Sequence, residues 1–140
     1  MSPSYFKKPE RPTGIIRTLP YFGAKDSEHD VQHGTNKAYQ RMMRTLRAIE
    51  KGTAEHFYVA FAQRPTTTVL HCYLICGGKV RVRANISHWV EGKDMGKVEC
   101  WDDSERQAKW WAVLTGPISW PPETILRRGF QGFRYTEELW

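Results

Sequence analysis

The chain has 140 residues, a formal net charge of +6 and a composition of 40% hydrophobic, 26% charged and 13% aromatic residues. That length suits about one domain, and the apolar content excludes a wholly disordered chain. No window approaches the roughly 18–20 consecutive apolar residues of a bilayer span, and the opening MSPSYFKKPERP holds no apolar run of signal-peptide length, so a soluble, cytoplasmic protein without membrane contact is expected.

Residues 1–34 contain Pro3, Pro9, Pro12 and Pro20, mixed charges and no sustained period. They read as a flexible N-terminal arm whose apolar pieces, Ile15-Ile16 and Leu19-Pro20-Tyr21-Phe22, can dock as extended segments. From Thr35 a new pattern begins. Tyr39, Met42, Met43, Leu46 and Ile49 recur at a spacing that only a helix places on one face, with Thr35 or Asn36 as N-cap and Gly52 as the stop. The remaining face carries Lys37, Arg41, Arg44, Arg47 and Lys51 against Glu50 alone, and is either a solvated face or one that meets phosphates.

Glu55–Ala62 is a strand candidate, and Thr66–Cys76 is a second with apolar residues on both faces, as in the middle of a sheet or barrel. Gly77-Gly78 then has the form of a two-residue hairpin turn. Lys79–Val90 alternates: Val80, Val82, Ala84, Ile86, His88 and Val90 are expected on one face, with Lys79, Arg81, Arg83, Asn85, Ser87 and Trp89 on the other. Lys97–Trp101, Trp110–Thr115 (ended by Gly116-Pro117) and a last segment in ILRRGFQGFRY complete the strand candidates. One amphipathic helix followed by several short strands predicts an α+β domain over residues 35–140 with a small curved sheet or β-barrel.

Spacing argues against a metal site. Cys72 and Cys76 at i and i+4 of one strand are separated by about 13 Å at roughly 3.3 Å per residue, too far to share one zinc ion. Cys100 completes an odd count outside a secretory context, so free thiols are expected. There is no nucleophile elbow, Walker motif or Gly-rich dinucleotide loop, and the sequence therefore motivates neither a catalytic residue nor a cofactor.

What remains is a basic surface interleaved with rings. All six tryptophans lie between Trp89 and Trp140, and the first thirty residues, with five basic and four acidic side chains, contribute little of the net charge. On the strand beginning at Lys79, the cations Lys79, Arg81 and Arg83 are expected in a row at about 6–7 Å, close to the spacing of successive phosphates, with Trp89 ending the row. An ordinary solvent face explains the polar residues of that row but suits Trp89 less well. Trp89, Trp101 and Trp120, each near a strand end or in a loop, are the candidates for stacking on a base. Trp110 and Trp111 must point to opposite faces.

The string Trp110-Trp111-Ala112-Val113-Leu114-Thr115-Gly116-Pro117-Ile118, followed by Gly129-Phe130-Gln131-Gly132-Phe133-Arg134-Tyr135, resembles the closing strands of PUA-like domains of the EVE type, relatives of YTH and ASCH domains. The resemblance covers about Phe57–Tyr135. The basic helix behind a long arm departs from that family, as does the lack of a Trp-rich opening strand. The resemblance implies nucleic-acid binding, with a flipped or modified base held among aromatic rings. The resulting expectation is a non-enzymatic DNA- or RNA-binding domain whose phosphate contacts are Arg41, Arg44, Lys79, Arg81, Arg83, Arg127 and Arg128. The alternative is a protein-binding regulator or inhibitor encoded by a mobile element or phage, its exposed rings forming the interface with a protein partner.

Overall fold

A computed structural model describes residues 11–19, 37–95 and 108–140. It is an α+β structure in which one helix, α1 (Lys37–Glu50), packs against a curled six-stranded sheet, a half-barrel. The strands are β1 (Gly14–Thr18), β2 (Phe57–Phe61), β3 (His71–Cys76), β4 (Lys79–Glu91), β5 (Trp110–Ser119) and β6 (Phe133–Thr136), and a short 3-10 turn follows β4 at Gly92–Asp94. Their order across the sheet is β2-β5-β4-β3-β1-β6. The candidate strand Lys97–Trp101 lies outside the described residues.

Helix α1 forms where the 3.6-residue period places it. Met42 and Leu46 are fully buried, with Tyr39, Met43 and Ile49 packed beside them. Its end is chemically fixed: Gly52 adopts φ +77°, the Gly52 N–H donates to the Ile49 carbonyl, and the Thr53 N–H reaches back to the Ala48 carbonyl at 2.9 Å. This is a Schellman arrangement, which satisfies carbonyls that the helix leaves without partners and favours glycine at the left-handed position.

The Gly77-Gly78 turn takes positive φ at both residues, 64° and 75°, as a tight turn matched to strand twist requires. It joins β3 to β4, and β3 is buried on both faces, with Cys72 and Leu74 in one apolar cluster and Tyr73 and Ile75 in another.

Part of the expected arm belongs to the sheet. Gly14–Thr18 runs parallel to β3 and antiparallel to β6, with Ile15 and Ile16 almost fully buried on opposite faces. The docking of Ile15-Ile16 as an extended piece is therefore its incorporation between two strands. A five-residue insertion partnered entirely by distant segments shows no period of its own. Residues 1–10 and 20–34 lie outside the described residues.

Two apolar clusters flank the sheet. The inner one joins α1 through Met42 and Leu46 to Ile15, Phe57, Val59, Phe61, Cys72, Leu74, Val82, Ala84, Ala112 and Leu114. The outer one joins Ile16, Tyr73, Ile75 and Val80 to the C-terminal part of the chain through Ile125, Phe130, Leu139 and Trp140. Edge strands β2 and β6 are not paired to each other, and the open side between them is filled by Arg17 of β1 and the rings of Phe61 and Phe133.

Strand β4 departs from the simple alternation. Leu74 pairs with Val82 and Ile75 with Val80, so Arg81 is an extra residue. Ile86 pairs with Leu114 and His88 with Val113, so Ser87 is another. Each bulge breaks the two-residue period locally. Val80 consequently packs in the outer cluster, whereas Val82 and Ala84 pack in the inner one, and Trp89 joins the inner side. Strand β5 does not end at Gly116-Pro117. It continues through a cis Gly116-Pro117 bond to Ser119, with extra residues accommodated between the Asn85–Thr115 and Arg83–Ser119 pairs.

Candidate functional site

Bulge and hairpin together aim the first residues of β4 toward α1. Arg81 lies with its guanidinium carbon 5.1 Å from the Tyr39 ring centroid, and its Nε donates to the Cys76 carbonyl at 2.8 Å. Its Nη2 is buried without a hydrogen-bond partner among the described residues; the Tyr39 ring face provides a cation–π contact instead. This pair forms one wall of a groove of about 420 Å³ between α1 and the Pro121–Ile125 segment. Lys79 and Met43 lie along it, Pro121 and Pro122 form the opposite side, and Glu123 supplies an acidic group. Tethering is direct: the Val80 N–H donates to the Ile125 carbonyl at 2.9 Å, and the Arg127 N–H donates to the Gly78 carbonyl at 3.0 Å.

The groove is thus cationic and ring-bearing. Two of the sequence candidates, Lys79 and Arg81, line it, and Arg127 and Arg128 stand exposed on the segment that continues from its rim. Arg44 is exposed and Arg41 half-buried on α1.

The expected row of cations is not formed. Arg83 is directed to the outer side, where its guanidinium carbon is 5.9 Å from the Trp140 ring centroid and Nη1 donates to the Trp140 main-chain oxygen. Tyr39 packs against the inner cluster and Trp140 against the outer one, so Arg81 and Arg83 serve opposite sides of the sheet. The Arg81 bulge is the cause.

Nor does Trp89 end that row. It packs against the inner cluster with its ring 5.0 Å from Phe61 in an edge-to-face contact, because the extra residue at Ser87 turns it inward. Trp120 is occupied in another way. Its indole N–H donates to Glu50 Oε2 at 2.8 Å, and Arg47 lies over its ring at 5.4 Å, which latches the segment after β5 to the end of α1. Trp101 lies outside the described residues. Trp110 and Trp111 do part to opposite faces: Trp110 packs toward the inner cluster with Arg64 over its ring at 5.4 Å, while Trp111 is 2% exposed.

Tyr39, Met43 and the Pro121-Pro122 wall line the groove without any mark of a site in the sequence. Tyr39 was legible only as a member of the apolar helix face, although its place at the first turn puts it at the margin of the core. Trp140 was also missed: it stacks edge-on to Tyr73 at 5.0 Å and donates from its indole to Ser119 Oγ at 2.8 Å.

The described residues contain no group of three or more His, Cys, Asp or Glu side chains arranged to hold a metal ion. Burial pushes the Cys72 thiol up to about 12, an effect the Arg17 charge only partly offsets, and burial likewise pushes Cys76 up to about 11 against the Arg81 charge. Such thiols stay protonated and unreactive at neutral pH. No described helix is long and apolar enough to cross a membrane. No family model matches the chain, and neither does any curated protein or solved structure.

Proposed function

We propose that this chain binds nucleic acid, with an unstacked base held in the groove against the Tyr39–Arg81 pair and adjoining phosphates met by Lys79, Arg127 and Arg128. The observation that carries the reading is the convergence of a tyrosine ring, a guanidinium carbon 5.1 Å from its centroid and a lysine in one groove of about 420 Å³. Bases stack on aromatic and guanidinium planes whatever their sequence, and flanking cations neutralise the backbone. A PUA-like assignment belongs to the same proposal. Its support is the curled, half-barrel sheet with a helix packed on it, together with the Leu114-Thr115-Gly116-Pro117-Ile118 string. The proposal assigns no catalytic residue and no cofactor.

The test is fluorescence anisotropy with labelled single- and double-stranded DNA and RNA at low and moderate salt. Affinity is expected to fall linearly on a logarithmic salt scale. Tyr39→Leu, which keeps apolar packing but removes the ring, is expected to weaken single-strand binding by about tenfold, the lower range for loss of one stacked base. Absence of saturable binding to all four probes at low salt would sink the reading.

A further inference from the structure

The segment Leu126-Arg127-Arg128 beside the groove has a feature that phosphate contact alone does not explain. Leu126 is 74% exposed, more than Leu70 at 57%, the other large apolar side chain left in solvent among the described residues. A single exposed leucine is ordinary in itself. This one, however, is held out on a backbone that cannot fold it away. Before it, the Ile125 carbonyl accepts from Val80 at 2.9 Å; at it, Leu126 bridges to Lys79 of β4; after it, the Arg127 N–H is bound to Gly78 at 3.0 Å. Further on, the Phe130 N–H donates to Thr18 Oγ1 at 3.1 Å, and Gly129 lies so close to Thr18 that a Cβ there would stand 2.9 Å from its methyl group.

The neighbouring apolar side chains, Ile125 and Phe130, turn down onto the outer cluster, and Leu126 alone of the three faces away. Its surroundings are cationic. Arg127 and Arg128 are exposed, with no hydrogen-bond or ring partner for either guanidinium among the described residues, and the sequence from Thr124 to Thr136 contains three arginines and no acidic residue.

We infer that Leu126 is an apolar wedge that enters the base stack of the bound nucleic acid, with Arg127 and Arg128 on the phosphates either side of it. Apolar side chains flanked by cations are a recurrent means of parting a base step. The occupant is argued from charge complementarity: two adjacent arginines and Lys79 beside one leucine fit a polyanion with an apolar interior between its charged strands. A membrane surface is a poorer fit, because stable attachment requires far more buried apolar area than one leucine offers. The inference deepens the proposed nucleic-acid reading and rests on it. It adds the residue that opens the stack next to the groove that would receive a base.

The test compares wild type, Leu126→Ala and the Arg127→Ala/Arg128→Ala double variant in anisotropy titrations against a duplex of about 16 base pairs, intact or with one central abasic site, in DNA and RNA forms. Wild type is expected to bind the abasic duplex about tenfold more tightly than the intact one, because the gap removes part of the unstacking cost. Leu126→Ala should lose that preference while keeping its salt dependence. The double arginine variant should weaken both duplexes equally and reduce the salt slope by about 2. Since all three side chains are exposed, circular dichroism should find the variants folded.

Equal affinity of wild type for intact and abasic duplexes overturns the wedge and leaves the groove reading standing, as does an unchanged preference in Leu126→Ala. Failure to bind any nucleic acid overturns both. Co-sedimentation with vesicles of 30% anionic lipid that is lost in Leu126→Ala, without any abasic preference, overturns the wedge in favour of a lipid contact.

Discussion

The Arg17 guanidinium reaches across the open side of the curled sheet to the main-chain oxygen of Ala60, at 3.2 Å from Nε and 3.1 Å from Nη2. Its Nη1 donates to the Thr18 carbonyl at 2.8 Å, and the guanidinium carbon stands 5.3 Å from the Phe61 ring centroid. Strands β1 and β2 are not neighbours in the sheet, so this one side chain links edge strand β2 to the opposite flank without a ladder of backbone hydrogen bonds.

Replacing Arg17 by Met keeps the aliphatic stem and removes the link. Charged hydrogen bonds of this kind contribute roughly 1.5–3 kcal/mol, and a loss in that range is expected from urea denaturation of Arg17→Met. Arg17→Lys should recover part of the loss only, since an ammonium cannot present two fixed donors to one oxygen. An unchanged urea midpoint in Arg17→Met would show that the rings of Phe61 and Phe133 hold the seam by themselves.

Trp89 and Trp120 are expected to behave as structural residues with different weights. Trp89→Ala removes a half-buried ring from the inner cluster and should cost about 3 kcal/mol or more of stability. Trp120→Phe keeps a ring beneath Arg47 but removes the donor to Glu50, so a loss of about 1 kcal/mol or less is expected at this exposed site. Nucleic-acid affinity of the folded Trp120→Phe protein should match wild type. A tenfold loss there, with stability intact, would return Trp120 to the base-stacking role expected from sequence.

Buried thiols make stability fall at alkaline pH. Their folded pKa values, about 12 for Cys72 and about 11 for Cys76, stand above the ordinary value of 9.0. Between those limits the folded state keeps protons that the unfolded chain has released, so the contribution is fully present below pH 9 and is lost as pH rises toward 11 and 12. The slope approaches about 1.4 kcal/mol per pH unit for each thiol. Cys72→Ala should shallow that alkaline limb in chemical denaturation measured from pH 8 to 10.5. At pH 8 the native protein should leave both thiols unmodified by iodoacetamide, and rapid labelling of Cys72 in the folded state would contradict the burial.

Two glycines separate backbone strain from steric exclusion. At Gly52 an added Cβ meets nothing within 4 Å, but φ is +77°, so Gly52→Ala should cost about 1 kcal/mol through conformation alone. At Gly14 the backbone is an ordinary strand, yet a Cβ would lie 2.8 Å from the His71 carbonyl oxygen. Gly14→Ala must displace β1 from β3 and is expected to be the more damaging, in the range of about 1–3 kcal/mol for overpacking. Thermal denaturation of the two variants gives the order directly.

Local chemistry was enough to specify some elements of this protein. The helix followed from five apolar residues at helical spacing and a glycine stop, because each turn of α1 meets the same core and the cap is satisfied within a few residues. The Gly77-Gly78 turn followed from the positive φ that tight hairpins demand. The doubly buried strand before it followed from a continuous apolar run. Tertiary structure alone decided where the side chains of β4 point, which tryptophans are occupied and which cations share a groove. A bulge adds one residue opposite a partner strand and leaves no mark in the apolar and polar pattern, so the regular string from Lys79 to Val90 concealed two changes of face. The place of Ile15-Ile16 inside the sheet, and of Trp140 against Tyr73, depends on pairings between segments dozens of residues apart. The sequence determined that the chain is basic and rich in rings; only folding decided that, among the described residues, most of the rings are committed to the fold, while Tyr39, Arg81 and Lys79 line one open groove.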